Sequence, residues 1–462
     1  MTSTVSIGSF DSIEQAAVAL QALFRTTMAA RPAMGSAFRW EAKVPDTEPL
    51  AWLNHQDNLI RMYCSNRERR LQIAALGVAD MLRYKDGETE LHEALQHVFA
   101  RLRELPEGMR FYGGMRFAEE VSHGDPTWHR FGRVRFVLPA VELLRDDTCT
   151  MLAMNLVISD EPAREIHQYS AILQSLTTPP PLTADHLPLP VKRVNHPDRD
   201  QWEDMISHAR HLMAGGTLEK LVLARRCVFD FGEPLNPMAL LQRLHEASPD
   251  SFHFCFNYGN EIAFIGATPE RLYQRKGNQL LSEALAGTRP RGATEEDDAW
   301  LASELMASAK ERSEHQLVAD AIVGVLSNFC TSVHRHPTPE ILKLQYVQHL
   351  RTVIFGELRD PISDADLLMA LHPTPAMGGW PRAIAMQKIA DLEPFDRGWY
   401  AAPIGWVKRD EAEFAVAIRC ALVEGSRLAL YSGAGIMPDS DPEQEWREIE
   451  SKIGNFLRIL TS

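Results

Sequence analysis

Apolar side chains recur at helical spacing over residues 12–30, where Ile13, Ala16, Ala17, Leu20, Leu23 and Phe24 share one stripe. The same reading of residues 67–104 predicts two further helices, broken near Lys85-Asp-Gly-Glu. Short alternating or wholly apolar runs at Arg110–Phe117, Gly132–Leu138 and Thr148–Ile158 predict strands. The Pro cluster between Thr177 and Pro190 fixes φ and removes backbone donors, so it reads as a connector. It divides the chain into an N-terminal segment, 1–195, and a region 196–462. Beyond it the pattern predicts helices over Gln201–Ala214 and Leu240–Ala247, with strands at Leu218–Phe229, Phe252–Tyr258, Ile262–Ala267 and Arg271–Lys276. One long helix is expected over about 297–329, then strands at 344–356, 399–408, 412–424 and 426–433, and a final helix over about 443–460. The strands come as hairpin-like neighbours rather than β-α-β crossovers, which predicts an α+β fold.

At 462 residues, 45% hydrophobic and 24% charged, the chain can bury a large core and is not disordered. Its 48 Lys+Arg against 62 Asp+Glu leave a net charge of −14. That field disfavours partners held through phosphate neutralisation, so neither nucleic acid nor an anionic membrane is expected. An anionic small substrate would need local cations or a metal. The six cysteines, Cys64, Cys149, Cys227, Cys255, Cys330 and Cys420, form no C-x-x-C pair, which fits a reducing compartment. The N-terminus lacks the basic stretch of a signal peptide, and no apolar run approaches the roughly 20 residues of a membrane helix, so a cytoplasmic protein is expected.

Candidate chemistry starts with Ala309-Lys-Glu-Arg-Ser-Glu-His-Gln-Leu317 in the long helix. Glu311 and Glu314 share a stripe there with Ala307, Val318, Ala321, Ile322 and Val325. Burying unpaired carboxylates is costly, so this face meets a cation, a proton or a ligand, unless it is simply an exposed helix end. In the last helix Glu445, Glu448 and Lys452 share a face beside Trp446, Ile449, Ile453, Phe456 and Leu460. Two i,i+3 carboxylate pairs on separate helices suit one hard divalent cation such as Mg²⁺ if the helices meet; alone, the second is more often a solvated face. Lys220 opens the strand-like run Lys220-Leu-Val-Leu-Ala-Arg-Arg-Cys-Val-Phe229, where desolvation can free a neutral amine to act as a base. A strand-end lysine in solvent has the same sequence. Glu270, in Gly266-Ala-Thr-Pro-Glu-Arg-Leu272, follows a Pro-bearing turn, placed to project into a cleft or to pair with Arg271 at the surface. Ser432-Gly-Ala-Gly-Ile436 and Glu283-Ala-Leu-Ala-Gly-Thr288 read as small-residue turns where backbone N–H groups approach an anion. The G-x-G lacks the strand and helix context of a dinucleotide site, which is excluded.

In this order the segments resemble the chorismate-utilising enzymes: isochorismate and salicylate synthases, anthranilate synthase large chains and aminodeoxychorismate synthases. The resemblance covers roughly residues 200–460, with an echo at Phe111-Tyr-Gly-Gly-Met-Arg-Phe117. It implies one complex, two-lobed antiparallel sheet core with helices packed outside, to which the N-terminal segment contributes helices and strands. It further implies that Lys220 is a water-activating base and Glu270 a general acid. Glu314 and Glu448 match the family's Mg²⁺ carboxylates, with Glu311 and Glu445 as outer partners. Tyr400 of Asp-Arg-Gly-Trp-Tyr, Arg419 of Ala-Ile-Arg-Cys, Lys452 and the backbone of Gly433 and Gly435 match contacts to the substrate anion. Gly287, Thr288 and His349 match further positions lining the pocket.

Such an enzyme takes chorismate, a dianion, as its small-molecule partner, and acts as a monomer or homodimer. Water adds at ring C2 while hydroxide leaves C4, which calls for a base and an acid together. Neutral Lys220 and protonated Glu270 would then need pKa values displaced toward each other by burial. Ammonia-adding members resemble one another in having glutamine where this chain has Lys220, so the resemblance implies hydration. Ala376, in Leu371-His-Pro-Thr-Pro-Ala-Met-Gly-Gly-Trp-Pro-Arg382, stands where salicylate-forming relatives carry threonine. This version and the long N-terminal segment are similar to the menaquinone-pathway isochorismate synthases, so pyruvate elimination is expected to be minor and the product to feed menaquinone or siderophore synthesis. A salicylate synthase and a non-catalytic chorismate-binding relative are the alternatives.

Overall fold

The computed structural model describes residues 2–461 except 57–59, 120–123, 180–187, 260 and 361, and the side chains of 2, 3, 460 and 461 are also outside the description. Most of the Pro cluster therefore lies outside the described residues. Among those described, thirteen strands form a larger sheet and ten a smaller one. The larger runs from Thr2–Ser9 and Ala37–Val44 through Thr150–Val157, Val141–Asp146, Leu71–Leu76 and Ile60–Ser65 to Phe252–Tyr258 and Ile262–Thr268. It continues with Cys420–Glu424, Arg427–Ile436, Lys220–Phe231 and Pro190–His196, and Gly379–Trp380 adds to Lys220–Phe231. The smaller sheet runs from Cys330–Arg335 through Val347–Leu358, Gln279–Pro290, Arg271–Lys276, Glu411–Val416, Pro403–Val407, Phe111–Met115 and Val134–Leu138 to Asp80–Tyr84, and Glu340–Lys343 adds to Val347–Leu358. Only the first pair, Thr2–Ser9 with Ala37–Val44, is parallel among the described pairings.

Both sheets combine strands from either side of the Pro cluster, with Ser65 opposite His253 in one and Phe111 opposite Val407 in the other. Phe254, Phe256 and Phe264 of the larger sheet share a buried cluster with Ile404, Trp406 and Ala415 of the smaller, so the two sheets pack face to face. Helices Leu91–Glu104, Ala309–Ser327 and Asp364–Leu371 place their apolar stripes in one buried cluster with Phe111, Phe136, Tyr273 and Phe414 of the smaller sheet. No described helix is long and apolar enough to cross a membrane.

Two crossings between the sheets build the site. The chain leaves the larger sheet at Pro269–Glu270, between Ile262–Thr268 and Arg271–Lys276, and returns to it at 417–419, between Glu411–Val416 and Cys420–Glu424. The Thr268 hydroxyl donates to the Val416 carbonyl at 2.7 Å, and the Val416 N–H donates to the Glu270 carbonyl at 3.0 Å, which ties one crossing to the other. Arg419 sits at the second crossing with φ +49°, a left-handed conformation that costs a residue with a Cβ roughly 1–2 kcal/mol.

Several elements differ from the pattern-based expectation. Residues 67–104 hold two strands, Leu71–Leu76 and Asp80–Tyr84, before the helix Leu91–Glu104. Leu71–Leu76 is buried on both faces in mid-sheet, and a run buried all round carries no period that separates strand from helix. The helix expected over 297–329 is two, Glu295–Ala307 and Ala309–Ser327. Ser308, in extended conformation at ψ 115°, ends the first by donating its N–H to the Glu304 carbonyl and caps the second by accepting from the Glu311 N–H. The strand expected over 412–424 is likewise split at the crossing. The two supposed small-residue turns lie within strands: Ser432–Ile436 ends Arg427–Ile436, and Glu283–Thr288 belongs to Gln279–Pro290. Gly287, at φ +77°, marks a register shift there, a bulge that bends the strand without ending it.

Candidate active site

Beside the two crossings a cleft opens with about 1790 Å³ of empty space, mouth included, bounded by both sheets and by helices Ala309–Ser327 and Pro442–Thr461. Lys220, Glu270, Glu311, Glu314, Glu445 and Glu448 all line it. So do Gly287, Thr288, His349, Ala376, Tyr400, Arg419, Gly433, Gly435 and Lys452. Every residue singled out in the sequence thus reaches one cavity, although they are spread over more than 230 positions and come from both sheets.

Lys220 begins the strand Lys220–Phe231 and is 1% exposed. Its Nζ donates to Glu314 Oε1 at 2.6 Å, joining the larger sheet to the helix Ala309–Ser327. Glycines make room for this contact. A Cβ on Gly435, which pairs with Val222, would lie 3.0 Å from Lys220 Cε and 3.1 Å from Glu314 Oε1. One on Gly433 would lie 3.0 Å from the Tyr400 hydroxyl. Gly379 lies against the lysine's own backbone, where a Cβ would come within 2.3 Å of the Lys220 carbonyl oxygen. Behind this wall Arg397 donates to the Val222 carbonyl at 2.8 Å and the Met377 carbonyl at 3.1 Å, so the loop bearing Ala376 is pinned to the lysine's strand.

Glu270, at the first crossing, is 4% exposed. Burial, reinforced by the Glu283 carboxylate and opposed by Lys220 and Arg419, pushes its pKa up to about 8, so the acid keeps its proton at neutral pH. Burial pulls Arg419 down to about 10, which leaves it charged at neutral pH. Burial, with the Arg419 charge, pushes His349 down to about 3. The imidazole is therefore neutral at pH 7. Arg419 donates to Nε2 at 2.8 Å, which assigns the ring proton to Nδ1, 3.1 Å from the Gly287 carbonyl and 3.1 Å from the Thr288 hydroxyl. His349 stands opposite Thr288 in the sheet, so one ladder position sets this contact.

The four carboxylates divide by partner. Glu311 accepts from Arg289 at 2.8 Å and from the Thr288 N–H at 3.3 Å. Glu445 accepts from the Ser440 hydroxyl at 2.7 Å, and burial, with the neighbouring Glu448 charge, raises its pKa. Glu448 pairs with Lys452 at 2.7 Å, and that cation holds its pKa below the usual range. Lys452 also donates to the Gly433 carbonyl at 2.9 Å. Among the described residues no three His, Cys, Asp or Glu side chains converge into a cage made of protein alone. Glu314 and Glu448 instead present hard oxygen donors whose present partners are the lysine side chains Lys220 and Lys452. That donor set fits a Mg²⁺ completed by water and substrate oxygens.

Lys310 and Arg289 also line the cleft and carried no role in the sequence reading. Lys310 had a usable signal, since it stands four residues before Glu314 and so shares its face. Leu285, Met377, Ile418, Ile453 and Phe456 supply apolar wall, which has no chemical signature in a sequence.

A buried proton-bearing carboxyl, a buried lysine and paired acidic helices around one cleft define an enzyme of the chorismate-binding class. The chain belongs to that family: its model, described as chorismate binding enzyme, matches residues 23–461. Isochorismate synthase MenF of Bacillus subtilis is 31% identical over 440 residues, covering 91% of this chain and 93% of that protein. The salicylate biosynthesis isochorismate synthase of Pseudomonas aeruginosa is 34% identical over 375 residues, 78% of this chain and 76% of that protein. The structure of MenF, the menaquinone-specific isochorismate synthase of Escherichia coli, superposes with a TM-score of 0.83 at 29% identity, over 95% of this chain and 100% of that one.

Proposed function

We propose that this chain is a Mg²⁺-dependent isochorismate synthase of the menaquinone type. The observation that carries the reading is the meeting of Lys220 and a proton-bearing Glu270 on one cavity, both buried and each supplied by a different part of the sheet system. Arg419 and Lys452 offer positive charge to a dianionic ring acid inside a globally acidic protein. Glu314 and Glu448 would hold Mg²⁺, with Glu311 and Glu445 as outer partners, and the metal would supply further charge neutralisation at a substrate carboxylate.

In this mechanism Lys220 takes a proton from the water that adds at C2, and Glu270 gives its proton to the hydroxyl leaving C4, which departs as water. The ring double bonds shift between those carbons. Each turnover leaves one extra proton on Lys220 and one fewer on Glu270, and exchange with solvent restores both. Ala376 on the cavity wall, in place of the threonine expected of salicylate formers, favours release of isochorismate. The coverage of the menaquinone-specific relative supports the same outlet.

Incubated with chorismate and Mg²⁺, the protein is expected to yield isochorismate as the main product by chromatography. Salicylate and pyruvate as main products would make it a salicylate synthase, and tight chorismate binding without turnover would make it a non-catalytic relative. Glu448→Gln is expected to raise the half-saturating Mg²⁺ concentration by at least about tenfold. A metal titration that matches the parent protein removes Glu448 from the metal site.

A further inference from the structure

We propose that Arg67, supplied by the N-terminal segment, is a positioning residue for the acid Glu270: it grips the turn that carries Glu270 and the Glu283 carboxylate behind it. This rests on the reading of Glu270 as the acid.

Arg67 lies in the turn between strands Ile60–Ser65 and Leu71–Leu76, more than 200 residues from the turn it holds. Its Nη1 donates to the Pro269 carbonyl at 3.0 Å and to Glu283 Oε2 at 2.9 Å, and its Nη2 donates to Glu283 Oε1 at 2.7 Å. Arg271, next to Glu270 in sequence, donates to the same Glu283 oxygen at 3.0 Å and to Glu413. Arg67, Arg271, Glu283 and Glu413 are all at most 6% exposed. A two-pronged guanidinium contact of this kind is directional and fixes the position of the Glu283 carboxylate.

Among the described residues that line the cleft, Pro269 and Glu270 are the ones this cluster holds, and its link to the reaction runs through them. The charged and titratable groups facing Glu270 are Lys220, Arg419, Glu283 and Tyr400. Of these Glu283 is the anion, and an ionised neighbour keeps a second carboxyl protonated. The Arg67 contact to Pro269 fixes where that proton is presented, and an error of about 1 Å in such a position can cost about 10²-fold in rate. The arrangement gives the N-terminal segment a share in the chemistry.

The test uses the full chain carrying Arg67→Lys and, separately, Glu283→Gln. Lysine keeps the charge but cannot span both the carbonyl and the two carboxylate oxygens. It is expected to lower kcat about tenfold with KM for chorismate unchanged. Glu283→Gln is expected to move the alkaline fall of kcat down by about 1 in pH. Unchanged kcat and pH profiles in both variants, or losses equal at every pH with KM rising in step, overturn the proposal. A parent protein that makes no isochorismate sinks the functional reading instead, so the two failures are told apart before any variant is assayed.

Discussion

Lys220→Ala is expected to cut isochorismate formation by at least about 10²-fold, because a missing general base removes 10²–10⁴ of the rate enhancement. Lys220 is the one lysine that is almost wholly buried on the cavity wall; Lys310 is exposed and Lys452 is engaged with Glu448 and Gly433. The fold should survive the change. Lys220 stands at the strand's first position, and the ladder from Leu221 opposite Ile436 to Asp230 opposite Arg427 does not depend on its side chain. What is lost besides the amine is the hydrogen bond to Glu314, which leaves that carboxylate free for metal, so Mg²⁺ binding is not expected to weaken, in contrast to Glu448→Gln. Circular dichroism, metal titration and turnover together decide. Near-normal turnover would refute the base assignment, and a loss of Mg²⁺ affinity together with turnover would move Lys220 from chemistry to metal binding.

The cavity was legible residue by residue because its chemistry is unusual in its local setting. A lysine opening an apolar run, acids three apart on helical stripes and a glutamate after a Pro-bearing turn each conflict with burial unless something compensates. What the sequence could not supply was the meeting of these residues. Glu270 and Arg419 are 149 positions apart and come together only because both sit where the chain changes sheets, and a change of sheet leaves no periodic mark. The strands there end at Thr268 and Val416, and the tie between the two crossings runs through backbone carbonyls and the Thr268 hydroxyl.

The first and last helices were read correctly, as were buried strands such as Phe252–Tyr258 and Ile262–Thr268, whereas the strands within residues 67–104 were not. The amphipathic helices Ile13–Ala29 and Pro442–Thr461 appear near their expected bounds. Leu71–Leu76, with neighbours on both edges and buried residues on both faces, was mistaken for helix. The strand containing Gly287 was mistaken for a turn because glycine and alanine cluster in it, yet those small residues are there to let the pocket approach the backbone. A Cβ on Gly287 would lie 3.1 Å from Glu311 Oε2. Composition marked the right place and the wrong conformation.

Glu270→Gln is the second large loss expected, again at least about 10²-fold in kcat, since an amide of the same shape has no proton to give the leaving hydroxyl. The parent enzyme should carry the signature of the same group in its pH profile. Burial first, then the Glu283 charge, raises Glu270 to about 8, so the acid form dominates at pH 7 and kcat should fall as pH rises past that value. The sign for stability follows from the same shift. The folded protein holds this proton where an unfolded chain releases it near 4.3, so the contribution to stability is complete below about pH 4 and is lost as pH climbs through about 8. Glutamine cannot ionise, so the variant escapes that loss: between pH 6 and pH 9 its melting temperature should drop less than the parent's, even as its activity is gone. Activity and stability therefore respond in opposite directions to one substitution, which a general unfolding defect cannot imitate. A parent kcat that stays flat through pH 9, or a variant whose melting temperature falls with pH as steeply as the parent's, would show that Glu270 does not carry the proton.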